Sequence, residues 1–197
     1  ANSIVSKLDE KLTITRSDLQ ATERKATENL EAYNLIIQAY AYINDPKYSR
    51  IMTSEKAGDL AAEALKLDST YADAYAVSSL AKIMKWIDIP TYDDLEIEKN
   101  RVIDINKANF LAKTALQYDQ DNLLAHTILI LLPLFNQESQ EFEANQLLIW
   151  RSMLVDAKIF LQKYPDTLIS EWLYAFILLQ KCNFKGGDKE DYKEPLE

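Results

Sequence analysis

The sequence predicts an all-α fold in which helical hairpins stack into a solenoid, with about three degenerate repeats, a capping helix and an N-terminal helix. Its composition favours helices, because apolar residues make up 48% of the 197 positions while glycine occurs three times and proline five times, so tight turns are few. One helix–corner–helix pattern also recurs three times along the chain. A recurring unit of this kind is typical of a solenoid, in which neighbouring units bury each other's apolar faces.

Three corners carry the repeat, and Ser69, Gln120 and Pro165 occupy equivalent positions in them. The corners are 51 and 45 residues apart (69 to 120 and 120 to 165), which is longer than the roughly 34 residues of a minimal helical hairpin. Alanine stands eight residues before each corner, leucine four before it and a small residue five after it: Ala61, Ala112 and Ala157; Leu65, Leu116 and Leu161; Ala74, Ala125 and Ser170. Small residues at fixed positions allow two helix backbones to approach closely.

The chain divides into three regions. Residues 1–26 are predicted to be an N-terminal helix and a linker, since Ile4, Val5, Leu8 and Leu12 lie at helical spacing while residues 13–26 are polar. Residues 27–182 are predicted to form the repeat domain. Residues 183–197 are highly charged and contain a Gly–Gly pair, which predicts a flexible tail.

The first helix of the repeat domain is predicted to be capped by Thr27 and to end at residues 44–46, since Pro46 cannot continue it. Its apolar stripe is Leu30, Tyr33, Ile36, Ile37 and Tyr40. The second helix is predicted to begin at Thr53 or Ser54. Its buried face is predicted to be Ala57, Leu60, Ala61, Ala64 and Leu65.

Five further helices are predicted. Thr70 is expected to cap the third helix of the repeat domain, which ends by Pro90, and an acidic, turn-like stretch follows over 91–98. The next helices are predicted over 100–118, over 122–135 with a kink at Pro133, and over 138–164. A last helix is predicted to begin at Asp166 or Thr167 and to end near residue 182.

The charge and the scarcity of reactive side chains exclude several functions. A net charge of −9 argues against direct contact with nucleic acid, which requires a basic surface. No apolar run approaches the roughly 20 residues of a membrane span. The single cysteine, Cys182, excludes an internal disulfide and a cysteine metal cluster.

His126 is the only histidine, and it occupies the position that Tyr75 holds one unit earlier. We therefore expect it to pack at a helix junction. Since the sequence offers neither a paired nucleophile nor a glycine-rich phosphate loop, we expect no catalytic residues, no metal site, no cofactor and no enzymatic activity.

The best-preserved corner is Ala61-Ala-Glu-Ala-Leu-Lys-Leu-Asp-Ser-Thr-Tyr-Ala-Asp-Ala-Tyr75. It resembles the junction between successive tetratricopeptide repeats, with Ser69 where that family prefers proline. Upstream, Ala26-Thr-Glu-Asn-Leu-Glu-Ala-Tyr-Asn-Leu-Ile-Ile-Gln-Ala39 resembles the start of the C-terminal repeat region of CadC/ToxR-type transcriptional activators and of repeat-bearing bacterial adenylate/guanylate cyclases.

The resemblance implies a non-enzymatic protein-interaction or sensory domain of a larger bacterial signalling or transcriptional regulator. The alternatives are the repeat domain of an adenylate/guanylate cyclase and an assembly scaffold of an envelope complex. We expect a protein or peptide partner, with a small effector or a second copy of the chain as alternatives. We expect a periplasmic location in a membrane-anchored protein, reached through a flanking segment outside this sequence, and the cytoplasm is the alternative.

In tetratricopeptide solenoids the first helix of each unit lines a concave groove. Carried over to this sequence, that pattern predicts an apolar binding groove formed by Val77, Leu80, Ile83, Met84, Ile128, Leu131, Phe135, Trp172, Leu173 and Phe176. Such a groove suits an amphipathic helix, an extended apolar peptide or a small apolar ligand. The alternative is that other segments of this chain, or a second copy, fill the groove.

Overall fold

A computed structural model describes residues 27–45, 47–87, 95–135, 141–165, 167, 173–174 and 176–177. Within these residues lie six α-helices, the fifth extended by a 3-10 helix: α1 (Leu30–Asn44), α2 (Arg50–Leu67), α3 (Ala72–Met84), α4 (Leu95–Tyr118), α5 (Leu123–Leu131) with the 3-10 helix Leu132–Leu134, and α6 (Glu141–Lys163). No strand occurs among them, so the predicted all-α class is confirmed. The helix predicted before residue 13, the linker, most of the capping helix and the tail lie outside the described residues.

Each helix packs mainly against its neighbours in the chain. The largest contacts join α1 to α2, α2 to α3 and α3 to α4, and smaller ones join α1 to α3 and α3 to α5. Stacked hairpins require contacts of this short-range kind. The predicted solenoid, with its curvature and its type of repeat, stays a prediction.

Two rows of alanines lie where the helices approach most closely. Both rows are fully buried and have the same spacing: Ala57, Ala61 and Ala64 on α2, and Ala108, Ala112 and Ala115 on α4. The second row stands 51 residues after the first (57 to 108), which is the offset between the first two corners. The buried alanines predicted for the second helix are therefore confirmed, and α4 repeats them.

The third copy of this row, on α6, has larger side chains. Met153, Ala157 and Phe160 stand 45 residues after the row on α4 (108 to 153), and all three are buried. Methionine and phenylalanine occupy more volume than alanine, so α5 and α6 cannot approach each other as closely. Accordingly, the contact between α5 and α6 is smaller than those within the first two hairpins, α1–α2 and α3–α4.

Asn29, and not Thr27, caps α1. The Asn29 side-chain oxygen accepts hydrogen bonds from the backbone N–H groups of Glu31 and Ala32, each at 3.0 Å. Thr27 accepts the N–H of Asn29 (3.0 Å) and donates its hydroxyl to Asp68 (2.6 Å) in the first corner, which joins α2 to α3 over residues 68–71. The threonine therefore ties the start of α1 to that corner.

The predicted starts of α2 and α3 also need correction. Ser49 caps α2 by accepting a backbone N–H of the first turn (3.3 Å), while Thr53 and Ser54 are buried inside the helix. Thr70 does not cap α3, because its N–H and its hydroxyl both donate to Asp68 (2.9 and 2.7 Å). The corner itself uses these groups, and α3 begins without a side-chain cap.

α1 turns inward only part of its predicted apolar stripe, namely Ile36 in the core and Tyr40 packed against it. Ala32, Ile36 and Ala39 are buried, whereas Leu30 and Ile37 are well exposed. The buried residues lie in one core cluster with the alanine row of α2. Small side chains permit this close packing, so Ala32 and Ala39 join Ile36 on the inner face, while Leu30 and Ile37 lie outside it.

α4 begins at Leu95, five residues earlier than predicted. Glu96 and Glu98 lie in its first turn, where the partial positive charge of a helix N-terminus favours carboxylates. Glu98 also forms a bidentate pair with Arg101 on the same helix (2.6 and 2.9 Å). The acidic residues 95–98, which we predicted to be turn-like, are therefore the start of a helix.

Candidate functional site

Five of the ten residues predicted to line the groove are buried in the core. They are Val77 (0% exposed), Ile83 (3%), Met84 (6%), Ile128 (3%) and Leu173 (0%). Val77 packs among residues of α1, α2 and α3, and Leu173 packs against α6. Because the helices enclose these side chains, they offer almost no surface to a partner in this structure.

Four of the other predicted groove residues are partly exposed. Leu80 and Phe135 pack against the core cluster formed by α3, α4 and α5, while Leu131 and Phe176 pack against the cluster centred on α6. Trp172 lies outside the described residues. The described groove residues are thus divided among separate parts of the core, and none of them lines either of the two clefts that follow.

An open cleft lies between α5 and α6 and is termed the α5–α6 cleft. Its volume is about 280 Å³. Its lining is mainly apolar: His126, Leu129, Ile130, Asp156, Ile159, Phe160, Lys163 and Tyr164. The cleft lies in the α5–α6 hairpin, where Met153 and Phe160 occupy positions that are alanines in α2 and α4. We attribute the opening of the cleft to the volume of these two side chains.

His126 lies in the first turn of α5, next to the corner between α4 and α5, and lines this cleft. Its Nε2 lies 2.9 Å from the backbone oxygen of Gln120, and since a carbonyl oxygen can only accept, Nε2 carries the hydrogen. Tyr75 makes the matching bond one hairpin earlier, from its hydroxyl to the backbone oxygen of Ser69 (3.0 Å). The two residues are therefore equivalent, in agreement with the sequence prediction.

Both residues also contact the second helix of their own hairpin or the residues just after it. The Tyr75 ring lies 5.6 Å from the Tyr118 ring. The His126 ring lies 5.6 Å from that of Phe160 and 6.0 Å from that of Tyr164. Aromatic rings at these separations attract each other beyond the burial of their area, so His126 holds the hairpin together as well as lining the cleft.

A polar cluster lies at the same end of the α5–α6 cleft. One carboxylate oxygen of Asp121 accepts the Tyr164 hydroxyl (2.7 Å) and lies 3.2 Å from the Lys163 ammonium. Burial raises the pKa of Tyr164, and the bonds to Tyr164 and Asp121 raise the pKa of Lys163. The Tyr164 phenol therefore stays neutral and the Lys163 amine stays charged near neutral pH. Together with Asp121 they form a polar rim at one end of the apolar wall.

A second cleft lies on the other side of α5 and is termed the α4–α5 cleft. Its volume is about 400 Å³. Its lining joins polar residues of α4 to apolar residues of α5 and the 3-10 helix: Ile105, Asn106, Asn109, Lys113, Leu129, Leu132 and Pro133. Leu129 lines both clefts, so they lie next to each other at that residue.

The groove that was predicted from the sequence includes no residue of either cleft. The groove was placed by the pattern of a family that the sequence resembles, which selects positions of α3 and α5. In this chain Val77, Ile83, Met84 and Ile128 at those positions are buried in the core. A usable signal was present, because Met153 and Phe160 depart from the alanines at the same positions of α2 and α4. That departure indicates a hairpin that packs less closely.

The described residues set limits on the chemistry of these clefts. The Nε2–H of His126 is used by its bond to Gln120. Among the residues that the structure describes, no three His, Cys, Asp or Glu side chains are grouped to hold a metal ion. None of the described helices combines the length and the apolar composition required to cross a bilayer.

Comparison with protein-family models, with curated proteins and with solved structures found no match to this chain. The geometry of the two clefts is therefore the main basis for inferring what the protein does.

Proposed function

We propose that this chain is a non-catalytic interaction domain of the tetratricopeptide type, which binds a protein or peptide partner through an apolar segment in the α5–α6 cleft. The observation that carries the proposal is the open apolar wall of the cleft. Ile159 is 57% exposed there and lines the cleft together with Ile130 and Phe160. Such a surface gains free energy when a partner removes it from water.

The exposed side of α6 continues this apolar wall beyond the cleft. Leu148 and Val155 are 63% and 58% exposed and stand eleven and four residues before Ile159, so the three side chains share one side of the helix. An apolar cleft continued by an apolar stripe suits an amphipathic helix or an extended apolar peptide.

Recurring local geometry supports the tetratricopeptide part of the proposal. The buried alanine rows of α2 and α4 share the offset of 51 residues (57 to 108) with the corner bonds of Tyr75 and His126 (75 to 126). A unit that repeats in sequence, in packing and in corner hydrogen bonds is what a solenoid of hairpins requires.

The proposal extends to the parent protein through the resemblance of residues 26–39. On that basis the domain belongs to a larger bacterial signalling or transcriptional regulator, with a periplasmic location in a membrane-anchored protein. Binding of the partner at the third hairpin would then be relayed to domains outside this sequence.

The test places a charge in the cleft and measures peptide binding. Ile159→Asp puts a carboxylate on the apolar wall, whereas Gln162→Asp adds the same charge to an exposed position of α6 that does not line the cleft. The probes are fluorescein-labelled ten-residue peptides with blocked ends and two leucines, and fluorescence anisotropy reports binding. We expect Ile159→Asp to weaken the tightest peptide about tenfold, or about 1.4 kcal/mol, and Gln162→Asp to change its affinity less than about twofold.

Two results would count against the proposal. One is that no peptide of the set binds the unaltered chain. The other is that both substitutions weaken binding equally, since the effect would then come from charge on the helix and not from the cleft. Thermal unfolding of both variants checks that each keeps its fold. We expect both to stay folded, because both substituted side chains are exposed.

A further inference from the structure

We propose that the α4–α5 cleft binds carboxylate side chains of the partner, so that the preferred partner is an acidic peptide segment with apolar residues. This inference rests on the proposed function, because the same segment would reach both clefts. Leu129 lines both of them. A segment whose apolar residues lie in the α5–α6 cleft therefore needs to cross only Leu129 to reach the α4–α5 cleft.

The polar wall of the α4–α5 cleft consists of three side chains with free hydrogen-bonding groups. Asn106, Asn109 and Lys113 stand at helical spacing on α4, and all three line the cleft. None of them forms a hydrogen bond or an ion pair with the described residues. Two amides and an ammonium together offer up to seven N–H donors, which suits an anionic group with several lone pairs.

Two asparagines that cap helices use their side chains within the fold. Asn29 caps α1 and donates to the backbone oxygen of Leu67 (3.3 Å). Asn122 caps α5 and donates to Asp73 (2.6 Å). These amides serve the fold, whereas the amides of Asn106 and Asn109 are left for a ligand.

The opposite wall of the cleft is apolar. Leu129, Leu132 and Pro133 form it, and proline has no backbone N–H to donate. A ligand that fills this cleft must therefore present polar groups to α4 and apolar groups to the 3-10 helix. A peptide with neighbouring acidic and apolar residues meets both requirements.

The charge around the cleft favours an acidic ligand. The chain carries a net charge of −9, yet residues 105–118 and 123–135, which supply the described lining, contain no aspartate or glutamate. Residues 105–118 contain Lys107 and Lys113, and Asp104 just before them is paired with Lys82 and Lys85. A locally cationic site attracts a carboxylate and disfavours a basic partner.

We assign the carboxylates to side chains within the segment, and not to its C-terminus. The two clefts meet at Leu129, so a segment that occupies both continues past the polar wall. Its Asp or Glu side chains would then lie against Asn106, Asn109 and Lys113.

The experiment uses blocked ten-residue peptides in three forms that differ only in charge. Beside the same two leucines they carry two glutamates, two glutamines or two lysines, and the blocked ends leave side chains as the only carboxylates. We expect the glutamate peptide to bind at least about fivefold more tightly than the glutamine peptide, and the lysine peptide to bind most weakly. A glutamine peptide with a free C-terminus should bind no better than its blocked form.

Two lysine variants locate the effect. Lys113→Gln removes the cation that lines the cleft, and Lys107→Gln removes an exposed cation of the same helix that does not line it. We expect Lys113→Gln to bring the affinity for the glutamate peptide to within about twofold of that for the glutamine peptide. Lys107→Gln should preserve at least about a threefold preference for glutamate. Thermal unfolding confirms that both variants stay folded.

The outcomes separate failure of the carboxylate inference from failure of the proposed function. Equal binding of the glutamate and glutamine peptides, or equal effects of the two lysine variants, would overturn this inference and leave the proposed function standing. Tighter binding of the free-carboxylate glutamine peptide would also overturn it, because the cleft would then recognise chain ends. If no peptide binds, the proposed function fails, and this inference fails with it.

Discussion

Asp104 lies on α4, and its side chain is almost fully buried. Its carboxylate contacts α3 and the residues just after α3. It accepts the indole N–H of Trp86 (3.1 Å) and pairs with Lys82 (3.8 Å) and Lys85. The Lys85 ammonium also lies 4.7 Å from the centre of the Trp86 ring. A buried carboxylate costs free energy unless donors surround it, so this cluster makes the pairing of α3 with α4 specific.

Asp104→Ala should lower the free energy of unfolding by about 2 kcal/mol, because Trp86 and Lys85 lose their acceptor. Asp104→Asn keeps a side-chain oxygen for the Trp86 N–H and should cost about half as much. Urea denaturation followed by circular dichroism measures both variants. Equal losses would show that the hydrogen bond to Trp86 contributes nothing.

A second carboxylate, Asp73 at the start of α3, should make stability depend on pH. Burial raises its pKa, and the hydrogen bond from Asn122 (2.6 Å) offsets part of that rise. Since the pKa is higher in the folded chain than in the unfolded chain, the stability that Asp73 contributes is fully present below its unfolded pKa of about 3.9. That contribution is lost as the pH rises through the folded pKa.

Asp73→Asn removes this titration and keeps an oxygen to accept from Asn122. The stability of the variant relative to the unaltered chain should therefore increase as the pH is raised from about 4 to about 7. Melting temperatures of the two proteins across that range measure the difference. A difference that stays constant, or that falls with rising pH, would contradict the raised pKa.

At the scale of the helices, small residues determine how closely the elements pack. The alanine rows of α2 and α4 are fully buried, and a Cβ added at Gly58 of α2 would lie 3.5 Å from the Cβ of Ala81 on α3. That separation is an ordinary van der Waals contact. Position 58 therefore has room for one methyl group, whereas the alanine positions have no room for larger side chains.

Gly58→Ala should raise the free energy of unfolding by about 0.5–1 kcal/mol, because alanine loses less backbone entropy in a helix and fits the space beside Ala81. Ala61→Leu, on the same helix, should lower it by about 1–3 kcal/mol, since a larger side chain must push α2 away from its neighbours. Urea denaturation compares the two. A destabilised Gly58→Ala variant would show that α2 and α3 leave less space at position 58 than the 3.5 Å contact with Ala81 indicates.

The helices themselves were largely predictable from the sequence, but their caps and inner faces were not. Pro46 predicted the end of α1 correctly, because proline cannot continue a helix. At Pro133 we predicted a kink, and the structure has a 3-10 helix over Leu132–Leu134. The caps were misplaced where several Ser, Thr and Asn residues stand close together, as at Thr27 and Asn29. The inner face of α1 was predicted in part, since Ile36 is buried, but Ala32 and Ala39 were missed because alanines weigh little in an apolar pattern that Leu30 and Ile37 dominate.

For the molecule as a whole, the sequence predicted the repeated corner but not the clefts. The corner is encoded by residue types at fixed offsets, such as Tyr75 and His126, and the structure reproduces their hydrogen bonds. The clefts depend on the volumes of side chains that face each other across two helices, such as Met153 and Phe160 against α5. No single stretch of sequence shows that relation.

The third hairpin is, on this account, where the stack of helices opens toward a partner. The first two hairpins bury alanine rows, and the third buries larger residues at the same positions, has a smaller helix–helix contact and carries the exposed stripe of α6. His126 lines its cleft, and since the chain contains one histidine, its imidazole gives a single, directly assignable NMR signal inside the proposed site.

The most direct measurement is a titration of the ¹³C-labelled chain with the blocked glutamate peptide, followed at the His126 imidazole resonance. We predict a saturable shift of that resonance with the same Kd that anisotropy gives, and in Ile159→Asp a titration midpoint at about tenfold higher peptide concentration. An imidazole signal that stays unchanged while anisotropy shows the peptide fully bound would contradict binding at the α5–α6 cleft.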